Sequence, residues 1–369
     1  MSKTKKKLPV WKGALRAGGA IVLSALLVVG GYAGYVFGSY SRIEDNVTLE
    51  VRGKASAKQV ETGKTYTVFS QNIGFGAYTP EFTFFMDGGT QSRAESKESV
   101  LSCTDQAIEK AKSFAPDFVL YQEVDTDSTR SHHVDQSKRI CDALTDYSSV
   151  FAVNYHSAYL MYPLLEPHGA SNSGMLTLSS VEITSSIRRS LPISTSVSKI
   201  LDLDRCYSLS RMKTDNGKEL VLFNVHTSAY GGSPEVREGQ MTMLFTDMKA
   251  EYDKGNYVVC GGDYNHDFTG DSIEALNDKD TPRSDWAHPF PAELLKNYPG
   301  ISRALNYTCG EQRPTCRDCD IPHKEGNFTI IVDGFLVSDN VSVEYLENVQ
   351  TGFAYSDHNP VVMQFSLQE

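Results

Sequence analysis

Six polar clusters stand where six apolar runs stop. Asn72 follows Val68-Phe69-Ser70-Gln71, Glu123 follows Phe118-Val119-Leu120-Tyr121-Gln122, and His226 follows Val221-Leu222-Phe223-Asn224-Val225. Asp263 and Asn265 come after Val258-Val259-Cys260, Asp333 continues Ile330-Ile331-Val332, and Ser356-Asp357-His358 leads into Asn359-Pro360-Val361-Val362. Each has an ordinary explanation by itself, because Asp and Asn favour turns.

Taken together they describe a chemistry. If the runs are strands that share one sheet edge, these groups converge on one cleft. Carboxylates and amides suit a hard cation such as Mg²⁺, with Mn²⁺ as the alternative ion, which binds through one or two carboxylates plus a substrate phosphate. Two histidines, one adjoining an acid, can move protons or neutralise a developing oxyanion. That is a kit for metal-assisted phosphoester hydrolysis.

The elements that must position these groups are legible. Short runs rich in β-branched and aromatic residues, bounded by Gly, Asp, Asn or Ser, predict strands over 66–71, 118–122, 149–154, 174–178, 220–225, 257–260, 328–337 and 361–365. A helical stripe of Val100, Cys103, Ala107, Ala111 and Phe114 runs through 93–114. Ser233-Pro234-Glu235 opens a second helix with Met241, Leu244, Phe245, Met248 and Tyr252 on one face. Strands outnumber helices, which points to an α/β chain with sheet packed on sheet and helices outside. Residues 41–64 read as a polar connector, and 65–369, with no linker or repeat, as one catalytic domain.

Ser70-Gln71-Asn72, Tyr121-Gln122-Glu123, Asn224-Val225-His226, Gly262-Asp263-Tyr264-Asn265, Val332-Asp333-Gly334-Phe335-Leu336-Val337-Ser338 and Ser356-Asp357-His358-Asn359-Pro360-Val361 occur in this order. The set resembles the signature of the endonuclease/exonuclease/phosphatase superfamily, which includes DNase I-like nucleases, neutral sphingomyelinases and inositol polyphosphate phosphatases. The resemblance covers Thr65 to the C-terminus. It implies a four-layer α/β/β/α sandwich of the DNase I-like kind, with the active site at one edge of the two sheets. It implies Glu123 as principal metal ligand with Asn72 beside it and Asp357 near the ion. It further implies Asp263 activating the attacking water, Asn265 holding a phosphate oxygen, His226 on the phosphate, and His358 as acid/base or transition-state stabiliser oriented by Asp333. A carboxylate that orients a histidine also raises its basicity, so the chemistry agrees. Ile73 and Gly74 follow Asn72, so one variant of the metal-end motif is absent, and His226 sets the chain apart from exonuclease III-like repair enzymes.

Other segments bear on substrate and location. Lys3, Lys5, Lys6, Lys7, Lys12 and Arg16 precede an uncharged run over 17–40. At about 1.5 Å per residue that run crosses a hydrocarbon layer of roughly 30 Å. Residues 1–16 then read as a cytoplasmic basic segment, 17–40 as an uncleaved single-pass anchor, and the remainder as extracytoplasmic. Gly30, Gly34 and Gly38 share one face of this helix, a pattern compatible with a helix-mediated homodimer. Seven of the 35 Lys and Arg lie at or before Arg42, leaving 28 against 46 Asp and Glu, a formal charge of −18. Such a surface grips nucleic acid poorly, although metal-dependent nucleases can be acidic.

The aromatic and glycine-rich loop over 73–92 could cover a head group, lean on lipid, or pack beneath the following helix. Arg93 and Arg317 are candidates for gripping a phosphate. Seven cysteines are too sparse for a disulfide framework, and Cys103, Cys141, Cys206 and Cys260 read as core. Cys309, Cys316, Cys319 and His323 have zinc-ligand types, yet their spacing fits a disulfide or incidental thiols better. His266 and Asp267, outside the motifs, read as loop or substrate-side residues. The expectation is a membrane-anchored, Mg²⁺-dependent phosphoesterase acting on a lipid head group or small phosphoester. An extracytoplasmic nuclease and a non-catalytic binding domain are the alternatives, the latter disfavoured by the intact polar set.

Overall fold

The computed structural model describes residues 10–195, 203–229 and 233–369. Lys3, Lys5, Lys6 and Lys7 lie outside the described residues. The chain divides into a unit ending at Ser41 and a unit Arg42–Glu369. The first contains one helix, Val10–Ser39, of which Trp11–Ser39 is long and apolar enough to cross a membrane.

The second unit is built on two seven-stranded sheets. One runs Val47–Thr48, Ser185–Ser190, Cys206–Lys213, Glu219–His226, Tyr257–Asp263, Asp333–Ser338 and Ile301–Arg303 in spatial order. The other runs Val341–Asn348, Val361–Leu367, Thr65–Asn72, Phe118–Asp125, Asn172–Ser179, Ser148–His156 and Arg52–Gly53. Their facing sides bury Val68, Leu120, Leu222, Val259, Phe335 and Met363 against one another. Removing a side chain of this size from water stabilises by about 1.5–3 kcal/mol.

The outer faces are covered by helices. Val221, Phe223 and Val258 pack against Met241, Leu244, Phe245 and Met248 of the helix Pro234–Asp253, which Ser233 caps by accepting the Val236 N–H. Phe69, Val119 and Tyr121 pack against Cys103, Ala107 and Ile108 of Lys97–Lys112 and Ile140 of Gln136–Ala143. Helix, sheet, sheet and helix form the expected α/β four-layer sandwich. The first of these helices starts at Lys97, not near Arg93, because Ser96 caps it by accepting from the Ser99 N–H.

Two elements depart from the sequence reading. The run 328–337 is not one strand: Thr329–Ile330 pairs with Cys316–Arg317, and Asp333–Ser338 joins the large sheet. The stretch 41–64 is folded onto the domain, with Val47–Thr48 and Arg52–Gly53 adding an edge strand to each sheet.

The ladder register explains why one rim collects the polar groups. Thr65–Asn72 runs parallel to Phe118–Asp125, and Glu219–His226 parallel to Tyr257–Asp263, so each pair ends at the same side. Asp263 pairs with His226 on one flank and with Asp333 on the other. Val361 pairs with Ser70, which puts His358 beyond the Asn72 end.

Candidate functional site

Asn72 joins the two sheets. Its Nδ2 donates to Glu123 Oε1 at 3.2 Å within its own sheet and to Asp263 Oδ2 at 3.0 Å in the other. Its Oδ1 accepts the Gly74 N–H at 2.9 Å, which fixes the amide's orientation.

Glu123 reaches this position through a bulge. The register of Phe118–Asp125 shifts between Tyr121 and Val124, and Glu123 has φ 52°. A bulge re-aims a side chain that the alternation would otherwise fix. The strand end is then clamped: Arg130 makes paired hydrogen bonds to Asp125 at 2.9 and 3.1 Å, and its guanidinium lies 4.0 Å from the centre of the Phe75 ring. The Glu123 side chain keeps 24% exposure, against 1% for Asp263 and 0% for Asp333.

His358 and Asp333 form the second half of the site. His358 Nδ1 lies 2.8 Å from Asp333 Oδ2, and its Nε2 is 3.8 Å from Asp263 Oδ2. The backbone is held as well, since His358 N–H donates to Ser356 Oγ and its carbonyl accepts from Gln71 Nε2. Burial opposes charge on this imidazole, but Cys316, Asp333, Asp263 and Asp357 outweigh it and hold the pKa well above the ordinary value. The opposite holds for His226, whose pKa is driven well below the ordinary value by burial, then by Arg205, His358 and Arg130. Its Nε2 is 3.5 Å from Asp263 Oδ2 and 3.9 Å from Glu123 Oε1. One histidine is set charged and the other neutral, a division that assigns different proton roles.

Burial pushes Asp263 up to about 6, with His358 opposing and Asp333 adding to the rise. Gly262 permits the close pass of this strand, since a Cβ there, at φ 146°, would lie 2.1 Å from Val225 O. The strand ends at Asp263, and Asn265 sits beyond it in a bend at φ 49°, its N–H donating to Asp263 Oδ1 and its Nδ2 to Thr227 O. Asp357 is half-buried; burial, with His358 opposing and Glu123 adding, pushes it up to about 6.

The structure thus brings together Asn72, Glu123, His226, Asp263, Asn265, Asp333, Asp357 and His358. The hydrogen bonds of the other two candidates go elsewhere. Arg93 donates to Pro167 O and Tyr159 OH. Arg317 is buried, donating to Thr79 O and Asp318 O, with its charge felt at Asp357. His266 and Asp267 are buried and structural: Asp267 accepts from Gly270 N, Ser272 N and Ser272 Oγ. All seven cysteines are free, so the disulfide reading of Cys309, Cys316 and Cys319 is not realised; Cys316 instead bridges His358 through its backbone. Cys141 is half-buried where Cys103, Cys206 and Cys260 are core.

Sequence reasoning missed Arg205. It is 4% exposed, its Nε and Nη1 find no hydrogen-bond partner among the described residues, and its charge acts on His226. Two buried guanidinium nitrogens without a partner are costly, so an anion is their natural complement. No sequence signal marked it, because the strand Cys206–Lys213 that it precedes, whose first residue pairs with His226, is not among the expected strands.

The donor set fits a hard cation. Glu123 and Asp357 offer carboxylate oxygens and Asp333 Oδ1 is left without a partner, whereas Asn72 turns Nδ2 to Glu123 and Oδ1 to the Gly74 N–H and so positions the carboxylate rather than offering its oxygen beside it. Within each of two triads, Asp263 with Asp333 and His358, and Cys316 with Asp357 and His358, the potential ligand atoms lie within 4.8 Å of one another.

No family model matches the chain, and comparison with curated proteins finds no match. Solved structures do match. An endonuclease/exonuclease/phosphatase from Beutenbergia cavernae DSM 12333 is 16% identical over 83% of this chain and 72% of its own, with a TM-score of 0.53. The human Nocturnin catalytic domain with bound sulfate is 16% identical over 87% and 98%, with a TM-score of 0.52. ANGEL2, a 2′,3′-cyclic phosphatase, in complex with adenosine-2′,3′-vanadate is 14% identical over 89% and 100%, with a TM-score of 0.54.

Proposed function

We propose that this chain, which has the endonuclease/exonuclease/phosphatase fold, is a divalent-metal-dependent phosphoester hydrolase held at a membrane by its N-terminal helix. The observation that carries this is the Asn72 amide, which ties the accessible Glu123 of one sheet to the Asp263, His358 and Asp333 cluster of the other. Glu123, with Asp357 beside it, would hold the ion, Mg²⁺ or Mn²⁺, and Asn72, whose Nδ2 donates to Glu123, would orient that carboxylate. Bound there, it would neutralise charge on the phosphate oxygens.

The chain's own groups supply the proton chemistry. Asp263, with a pKa raised to about 6, takes a proton from the attacking water as the new P–O bond forms. Protonated His358 gives its Nε2 proton to the leaving oxygen as the old P–O bond breaks, and Asp333 fixes its tautomer. Neutral His226 and the second amide hydrogen of Asn265 can donate to the phosphate's other oxygens.

Basic residues before the helix favour a cytoplasmic N-terminus and an extracytoplasmic domain. The test is a screen of the full-length chain in detergent against bis-p-nitrophenyl phosphate, sphingomyelin, inositol phosphates and plasmid DNA, with and without Mg²⁺. Divalent-dependent turnover is expected, and full activity in EDTA would overturn the reading.

Arg205 is assigned to the substrate phosphate. Arg205→Met should raise KM for a phosphodiester by about tenfold or more, as expected for loss of a charge-assisted hydrogen bond, with Arg205→Lys recovering part of it. Steady-state kinetics on the variants check this, and an unchanged KM removes Arg205 from the site.

A further inference from the structure

We propose that the rim carrying the catalytic cluster docks on a lipid bilayer, and that the substrate is a lipid whose phosphodiester head group that bilayer presents. This rests on the hydrolase reading above. Its first support is a loop. The segment 157–171 leaves the strand Ser148–His156 and enters Asn172–Ser179 beside the bulge of Glu123: His156 pairs with Asn172, Ser173 with Asp125, and Gly174 with Val124. It therefore springs from the active-site rim.

The tip of this loop is apolar and turned outward. Tyr162, Leu164 and Leu165 are 68%, 80% and 102% exposed, and no charged residue occurs from Ala158 to Leu165. The base of the loop is fastened. Ser92 N–H donates to Glu166 Oε2 at 3.0 Å, Arg93 donates to Pro167 O, and the Phe85 ring meets Tyr162 at 5.8 Å with exposed Met86 alongside. A loop fastened at its base with leucines in water presents them to something apolar.

The second support is where the chain enters the domain. Arg42 Nη2 donates to Leu191 O at 2.6 Å, and Ile43 N–H to Asp204 Oδ2 at 3.1 Å. Leu191 follows the strand end Ser190, which pairs with Cys206, and Cys206 pairs with His226. The same rim thus receives the chain only three residues after Ser39, the last residue of the apolar helix, a reach of about 11 Å at full extension. The point at which the chain enters the domain therefore lies on this rim. Because the domain is acidic, apolar insertion rather than charge must supply the contact, so docking should be insensitive to salt, unlike a nucleic-acid groove.

The experiment uses the full chain in vesicles of phosphatidylcholine, phosphatidylglycerol and sphingomyelin with Mg²⁺. In Leu164→Trp, the added emission should shift to the blue and be quenched by lipids brominated on the acyl chains, equally at low and high salt. The double variant Leu164→Asp with Leu165→Asp should lose about tenfold or more in turnover of vesicle lipid, while keeping hydrolysis of soluble bis-p-nitrophenyl phosphate within about twofold. An introduced indole that brominated lipid fails to quench, or that responds to a DNA oligonucleotide or a soluble protein instead, overturns docking. Turnover of the soluble diester with none of any vesicle lipid overturns the substrate assignment. Failure of the hydrolase reading looks different: the wild-type chain would then turn over neither substrate, whatever the indole reports.

Discussion

Replacing His358 by alanine will cut turnover of bis-p-nitrophenyl phosphate by about a thousandfold or more, the combined scale of losing a positioned acid and a charged oxyanion partner. His358 is buried, tied to Asp333 at 2.8 Å, and held protonated by its acidic neighbours, so it has a proton to give and a carboxylate to stabilise the cation. A general acid matters most when the departing oxygen is basic. The loss should therefore be larger for a diester with an alkyl leaving group than for one that releases nitrophenolate, which leaves without help. Asp333→Asn should reproduce much of the loss by permitting the wrong tautomer. Because removing the imidazole leaves buried Asp333 and Asp263 without their cation, melting temperatures must be measured beside the rates. A folded His358→Ala variant that keeps a tenth of the activity or more, by the ordinary scale of acid catalysis, would remove His358 from the chemistry.

Much of the polar cluster could be read from the chain because Asn72, His226 and Asp263 end buried strands. A run such as Val221 to Val225 announces both the strand and the residue it delivers, and parallel pairing then brings His226 beside Asp263. What escaped the reading lacked that contrast. The strands Ser185–Ser190 and Cys206–Lys213 hide their periodicity because polar side chains are buried and paired there: Ser186 Oγ meets Ser210 Oγ at 3.0 Å, and Arg188 donates to Val153 O at 2.7 Å. Arg205, at the head of one of them, went unseen with it. The bulge at Glu123 and the bend at Asn265 depend on positive φ at residues other than glycine, which no spacing rule announces.

Of the readings open for residues 73–92, packing beneath the following helix is the one realised, whereas the loop 157–171 drew no reading. Residues 73–92 carry more aromatics than 157–171, so composition directs attention to the former. Yet Phe75, Tyr78, Phe82 and Phe84 close on one another with Val100, Val134 and Cys319 and are buried. The exposed apolar tip belongs to the plainer segment, because Leu164 and Leu165 have no partner layer within reach. Aromatic content reports what a loop can bury; only the fold decides what it leaves out.

Glu123→Gln will abolish divalent-dependent hydrolysis at low Mg²⁺, and will do so without harming the fold. Glutamine is nearly isosteric and can present its carbonyl oxygen to Asn72 Nδ2, so the hydrogen bond that Glu123 Oε1 now accepts survives. What disappears is one negative charge in a cluster where Glu123 already pushes Asp357 toward its protonated form. Relief of that repulsion should leave the variant as stable as the parent, or slightly more so, when no divalent ion is present. The parent should gain stability on adding Mg²⁺, about 2.7 kcal/mol at a hundred times Kd, because an ion that binds only the folded state shifts the equilibrium by mass action. In Glu123→Gln this Mg²⁺-induced rise in melting temperature should vanish, or require about tenfold or more additional Mg²⁺, in step with the activity, since a lost ligand weakens ion affinity by at least the cost of a lost supporting contact. Thermal melts across a Mg²⁺ series therefore read the metal role independently of turnover. A variant that keeps both the Mg²⁺-dependent stabilisation and the activity would show that the ion is held elsewhere on the rim.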